Sequence, residues 1–143
     1  MDAIQLLEKD HREVEALFAQ FEKLDNDNDA AEKAAIAFNI CKSLKAHTTI
    51  EEELFYPAAR DVLGDDDLIE EAVKEHSMAK KLIADIEKLK TGMRLDMEIK
   101  ALKLAIEHHV KEEETEMFPQ LQERGLETAK LGQQMLARKQ QLM

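Results

Sequence analysis

The chain has 143 residues, enough for one domain with a single core. Its formal net charge of -11 at pH 7 repels a phosphate backbone, and no Lys/Arg cluster offsets it, so nucleic acid is not an expected partner. No apolar run approaches the roughly 20 residues that span a bilayer, and the start MDAIQLLEKD lacks the basic and apolar stretches of a secretion signal. No membrane contact is expected, and a cytoplasmic location is.

Aromatics make up 4% of the chain, Trp is absent, and four Gly and two Pro interrupt runs rich in Ala, Leu, Glu, Lys and Ile, which favours helices. The first predicted helix, about residues 2–24, carries Ile4, Leu7, His11, Val14, Phe18 and Phe21 at alternating three- and four-residue steps. The second, about 30–59, places Ala37, Ile40, Leu44, His47, Glu51, Leu54 and Ala58 on one stripe. The aspartates of the turn Gly64–Asp67 suit the start of the third, whose stripe is Ile69, Ala72, His76, Ala79, Ile83 and Ile86, with Thr91 and Gly92 as its stop. A fourth carries Leu95, Ile99, Leu102, Ile106, His109, Glu113 and Glu116, and Arg124 and Gly125 end it. The tail from Leu126 to Met143 reads as a short fifth helix.

Single-striped helices joined by short loops predict an all-α, up-down-up-down four-helix bundle over about residues 2–124, with the C-terminal helix completing one domain over 1–143. The halves are related. His47 to Pro57 reads HTTIEEELFYP and His109 to Pro119, 62 residues on, reads HVKEEETEMFP; DHREVEAL at Asp10 and EHSMAKKL at Glu75 lie 65 apart. Each half supplies a lone histidine and a His-x-x-x-Glu pair, and a pseudo-two-fold axis between the halves is expected.

Residues four apart share a helix face, so each pair can converge on one ion. All six residues lie on apolar stripes, where unpaired carboxylates would cost several kcal/mol each. A metal-free polar layer would suit any single histidine; the duplicated set points to metal. Its donors are imidazole and carboxylate with no thiolate, which suits iron, zinc, copper or nickel, and six ligands exceed the four of a closed zinc site. Two ions with two histidines each and both glutamates bridging, plus an oxide or hydroxide bridge, would leave about one open position per six-coordinate ion. Ferritin-like sites instead use Glu-x-x-His and more carboxylate.

The layout H…HxxxE…H…HxxxE from His11 to Glu113 resembles the hemerythrin-like family, the HHE cation-binding domain. The resemblance implies a non-haem di-iron centre with His11, His47, Glu51, His76, His109 and Glu113 as ligands. Zinc or manganese is also compatible with the donors. Oxygen-carrying members add a histidine four residues after the position of His76, where this chain has Lys80, which argues against reversible oxygen carriage. The expected function is binding of, or reaction with, oxygen, peroxide or nitric oxide. The alternatives are a metal-dependent sensor, iron store or protein-interaction module without turnover, and a metal-free bundle.

Several nearby residues have plainer expectations. His108 sits about 100 degrees round the helix from His109 and reads as a surface residue or a partner of a ligand. Tyr56 stands where the other half has Phe118; ideal helical geometry turns it away from His47 into the core or rim, unless Pro57 redirects it. Glu52, Glu53, Glu112 and Glu114 flank the ligands as surface charge, with a few orienting imidazole N–H groups. The lone Cys41 cannot form an internal disulfide, and the seven Met are scattered filling.

Overall fold

The computed structural model describes residues 1–64, 67–89 and 92–143, and it is all-α, with no strand among the described residues. The long helices are α1 (Ala3–Glu22), α2 (Ala30–Ile50), α4 (Asp67–Lys88) and α5 (Met93–Glu112). Beyond Ile50 the second helix passes through a five-residue π-turn, Glu51–Phe55, into α3 (Tyr56–Leu63). Beyond Glu112 the fourth does the same through Glu113–Met117 into α6 (Phe118–Glu123). The C-terminal α7 (Ala129–Leu142) is the short fifth helix that the tail predicts. Of the predicted turns, Asp65, Asp66 and Thr91 lie outside the described residues.

Local chemistry starts and stops these elements. Asp2 caps α1 by accepting from the Gln5 backbone N–H at 2.8 Å, while the Gln5 side chain accepts from the Asp2 N–H at 3.0 Å. The second helix runs past its expected end near 59 to Leu63, where Gly64 takes a φ of 67° that a residue with Cβ would resist. Packing of α7 against the start of α1 depends on Gly132: a Cβ there would lie 2.7 Å from the Ala3 backbone nitrogen. The Ala3 N–H donates to the Thr128 carbonyl at 2.9 Å, closing the same contact.

Two apolar clusters fill the bundle, on either side of a polar layer. At one end Leu7, Ile50, Phe55, Ala59, Ile69, Met117, Phe118 and Leu121 pack with Leu131 and Met135 of α7. At the other, Val14, Phe18, Ile40, Leu44, Ile83, Ile99 and Leu102 form the second cluster. Burying a Leu or Phe side chain contributes about 1.5–3 kcal/mol, and this burial on both sides fixes the layer between them.

Every residue of the predicted stripes of α1 and α4 is buried, as are those of the second and fourth helices as far as the glutamates, and α1 also buries Ala3, Leu6 and Asp10 beside its stripe. The stripes fail just beyond. Leu54 and Ala58 are only partly buried and Glu116 is exposed; Phe55, Tyr56, Ala59, Met117 and Phe118 are buried instead. The π-turns are the reason. The Tyr56 N–H donates to the Glu51 carbonyl and the Phe118 N–H to the Glu113 carbonyl, five residues back, so each turn holds one extra residue and the inward face advances by one position.

Candidate metal centre

The polar layer consists of His11, His47, Glu51, His76, His109 and Glu113, each no more than 5% exposed. His11 comes from α1, His47 from the last turn of α2, His76 from mid-α4 and His109 from the last turn of α5; the glutamates open the two π-turns. Glu51 Oε1 lies 3.0 Å from His47 Nε2 and 3.1 Å from His76 Nε2. Glu113 mirrors it, with Oε1 3.2 Å from His11 Nε2 and Oε2 3.3 Å from His109 Nε2. Each carboxylate therefore meets one histidine of its own half and one of the other.

The outward nitrogens have carboxylate partners. His47 Nδ1 meets Asp10 at 3.0 Å and His109 Nδ1 meets Glu75 at 2.7 Å, both within one half. His76 Nδ1 meets Glu52 at 2.8 Å and His11 Nδ1 meets Glu114 at 2.7 Å, both across halves. Burial pushes these four carboxyls up, but their histidines, with cations behind three of them, hold all four below their usual range. An ionised carboxylate only accepts, so Nδ1 donates, and in the neutral ring every Nε2 lone pair faces inward.

Without a cation the inward-facing atoms are poorly matched. His76 Nε2 and His109 Nε2 stand 3.1 Å apart. His11 Nε2, His47 Nε2, Glu51 Oε2 and Glu113 Oε1 are buried with no hydrogen bond, although such groups normally find partners. Burial opposes charge on both His47 and Glu51, yet their mutual attraction prevails. It raises His47 to about 10 and holds Glu51 well below the carboxylate range. A positive charge is what this layer accepts, and its donors group as Glu51, His76, His109 and Glu113 beside His11, His47 and Glu113.

Residues 2–121 match the family described as Hemerythrin HHE cation binding domain. The chain belongs to that family. A solved HHE cation binding domain-containing protein from Mycobacterium kansasii superposes with a TM-score of 0.83 at 25% identity, covering 99% of this chain and 87% of that one. A protein named DNA nickase from Nostoc sp. is 29% identical over 119 residues, which are 82% of this chain and 33% of that protein. The chain thus spans about a third of that relative's length.

Within this HHE domain Tyr56 is a core residue beside the polar layer, the inward placement that the turn before Pro57 produces. The π-turn swings it inward to 2% exposure, where its hydroxyl donates to Glu113 Oε2 at 2.6 Å and lies 3.1 Å from His76 Nε2 and 3.4 Å from His109 Nε2. Burial, then the charges of Glu113 and Glu51, push its phenol well above the ordinary tyrosine range. Its counterpart Phe118 stacks on His11 with ring centroids 6.1 Å apart and planes 1° from parallel. The sequence signal for both turns is the proline after each aromatic. Pro57 and Pro119 lack the N–H that would close an α-turn onto Glu53 and Thr115.

Of the flanking glutamates, Glu52 and Glu114 orient imidazoles, whereas Glu53 pairs with Arg138 at 2.8 Å and Glu112 with His108 at 3.0 Å. Reading the flanks alone misses Asp10 and Glu75. Their signal is the acid directly before each lone histidine, in the repeated DH and EH. Lys80 stays outside the layer and meets Glu52 at 2.8 Å, so it acts on His76 through that carboxylate. His108 is on the surface, 65% exposed.

Among the described residues no helix is long and apolar enough to cross a membrane. A small cavity of about 40 Å³ reaches His11, His47, His76 and His109 between the apolar side chains of Val14, Leu44, Ile106 and Val110.

Proposed function

We propose that this HHE domain holds two iron ions and binds or reacts with oxygen, peroxide or nitric oxide. The observation that carries the reading is the convergence of four Nε2 atoms and two buried carboxylates, with every outward Nδ1 engaged by a carboxylate of its own. His11 and His47 would hold one ion, His76 and His109 the other, and Glu51 and Glu113 both. The ions would supply open ligand positions and exchangeable electrons.

The chain's own residues do the rest. Asp10, Glu52, Glu75 and Glu114 fix the tautomer and angle of each imidazole. Tyr56 keeps a proton on its own oxygen, aimed at Glu113 Oε2 and available to a polar ligand beside it. The cavity has room for a ligand of a few atoms, and beside Val14, Leu44, Ile106 and Val110 its lining includes Asp10, Thr48 and Lys139. The net charge of -11 opposes DNA contact, so the nickase name lends nothing to this reading.

The test is metal analysis of untagged protein, with optical spectra before and after oxygen, peroxide and nitric oxide. Two irons per chain, a spectral response and peroxide consumption are expected. A response without peroxide turnover reduces the function to binding. Protein that takes up no iron, or that takes it up without responding to any of the three ligands, overturns the proposal.

A further inference from the structure

Three of the four carboxylates behind the imidazoles have a fixed cation behind them. Arg12 meets Glu114 at 2.6 Å, Lys80 meets Glu52 at 2.8 Å, and Lys139 pairs with Asp10. Glu75, behind His109, is the exception: among the described residues no Lys or Arg pairs with it. Its Oε1 takes His109 Nδ1 at 2.7 Å, its Oε2 is buried, and the neighbouring Glu112 carboxyl shares a hydrogen bond with Glu75. That oxygen faces His108 Nε2 at 3.3 Å, and the same nitrogen lies 3.0 Å from Glu112 Oε1.

We propose that Glu75, His108 and Glu112 form a second, solvent-facing site for a divalent transition-metal ion, which takes the place that Arg12, Lys80 and Lys139 hold elsewhere. One donor atom from each residue lies within 4.8 Å of the others. The nitrogen-to-oxygen distances of 3.0 and 3.3 Å match the edges of a tetrahedral site, which are about 3.3 Å for bonds near 2.0–2.1 Å. One imidazole and two carboxylates suit zinc, cobalt or manganese, whereas calcium takes six to eight oxygens. His108 is 65% exposed, so water can complete the coordination and the ion can enter from solvent.

The sequence singles out the same place. The run HHVKEE holds two interleaved His-x-x-x-Glu pairs, His109 with Glu113 facing inward and His108 with Glu112 one position round the helix. In the first half the equivalents of His108 and Glu112 are Ala46 and Ile50, and there the equivalent of Glu75, Asp10, has Lys139. The outer site is therefore specific to one half. An ion on Glu75 Oε2 would draw charge from the carboxylate and weaken its hold on the His109 N–H. Occupancy would thus tune one side of the buried centre. This coupling rests on the di-iron reading; the outer site itself does not.

The experiment uses cobalt(II) as an optical probe on the full chain, metal-free and iron-loaded, comparing wild type with the double variant H108A/E112Q. Wild type is expected to bind one more saturable equivalent than the variant in both forms, displaced by zinc. Helical content and iron loading should be equal in the two proteins. In iron-loaded wild type alone, filling the outer site should shift the iron absorption. Equal cobalt stoichiometry in wild type and variant, or only weak non-saturable binding by wild type, overturns the proposal. If the buried layer holds no iron, the one-equivalent difference persists in metal-free protein, so the two readings fail separately.

Discussion

The Tyr56 hydroxyl donates to Glu113 Oε2 across 2.6 Å, tying the first helical hairpin to the carboxylate of the second. The opposite position holds Phe118, which has no hydroxyl to offer Glu51. Because Phe already fills the symmetric place, Tyr56→Phe should keep the fold and remove one bond. The metal-free variant is expected to lose about 1–3 kcal/mol from the stranded carboxylate oxygen. That corresponds to a fall of very roughly 2–12 °C in Tm. With iron bound, its absorption and peroxide rate should differ from wild type. Identical melts and spectra would show that the hydroxyl does not act on the site.

Metal should act as a cross-link between the four long helices. If the loaded ions are about a thousandfold above Kd, the fold gains about 4 kcal/mol. That places the iron-loaded Tm on the order of 10 °C above the EDTA-stripped one. In E51Q/E113Q this difference should vanish, because both shared carboxylates are gone. Coincident wild-type melts, loaded and stripped, would contradict the assignment.

Most of the site is legible because α-helical spacing is a reliable guide wherever the helix is regular. His11, His47, His76 and His109 all lie on turns with ordinary 3.6-residue geometry, and the stripe leads directly to them. Glu51 and Glu113 are still in register because each is the first residue of its π-turn. One residue added to the turn then aims Tyr56 at the layer and moves Glu116 from stripe to solvent. Periodicity cannot register an inserted residue, although the proline that follows each aromatic marks where one is accommodated. Asp10 and Glu75 are obscured differently. A carboxylate beside a histidine in sequence points elsewhere on the helix, and only the neighbouring helix shows which imidazole it reaches.

The charge of His47 sets a pH dependence in stripped protein. Burial disfavours its protonated form, but Glu51 and Asp10 favour it more and raise its pKa from 6.5 to about 10. Protonated His47 thus stabilises the fold fully below about pH 6.5, and that contribution is lost as pH rises toward about 10. The Tm of stripped protein should fall across this window, and His47→Gln should flatten the slope. Metal binding displaces the same proton, so uptake should strengthen with pH and release acid on mixing. Proton release measured in unbuffered solution, at or below zero, would contradict this.

Asp10 and Glu53 offer a matched comparison. Asp10 holds His47 Nδ1 and is itself held by Lys139, whereas Glu53 meets Arg138 at the surface. Asp10→Asn should lower metal affinity by about 10–100-fold, as measured by competition with a chelator. Glu53→Gln should leave it unchanged. Equal affinities in the two variants would mean that the outer carboxylates do not tune the imidazoles.

The absent side chain at Gly132 gives the C-terminal helix a further role. Only because nothing projects there can α7 lie flush on the Asp2–Ala3 backbone, and only from that seat does Lys139 reach Asp10. A methyl group at 132 would lever the helix outward, and the disturbance would travel from Lys139 through Asp10 to the ring of His47. The closing stretch of the chain is thus a strut under one imidazole, and a defect at its foot should be felt in the core of the bundle.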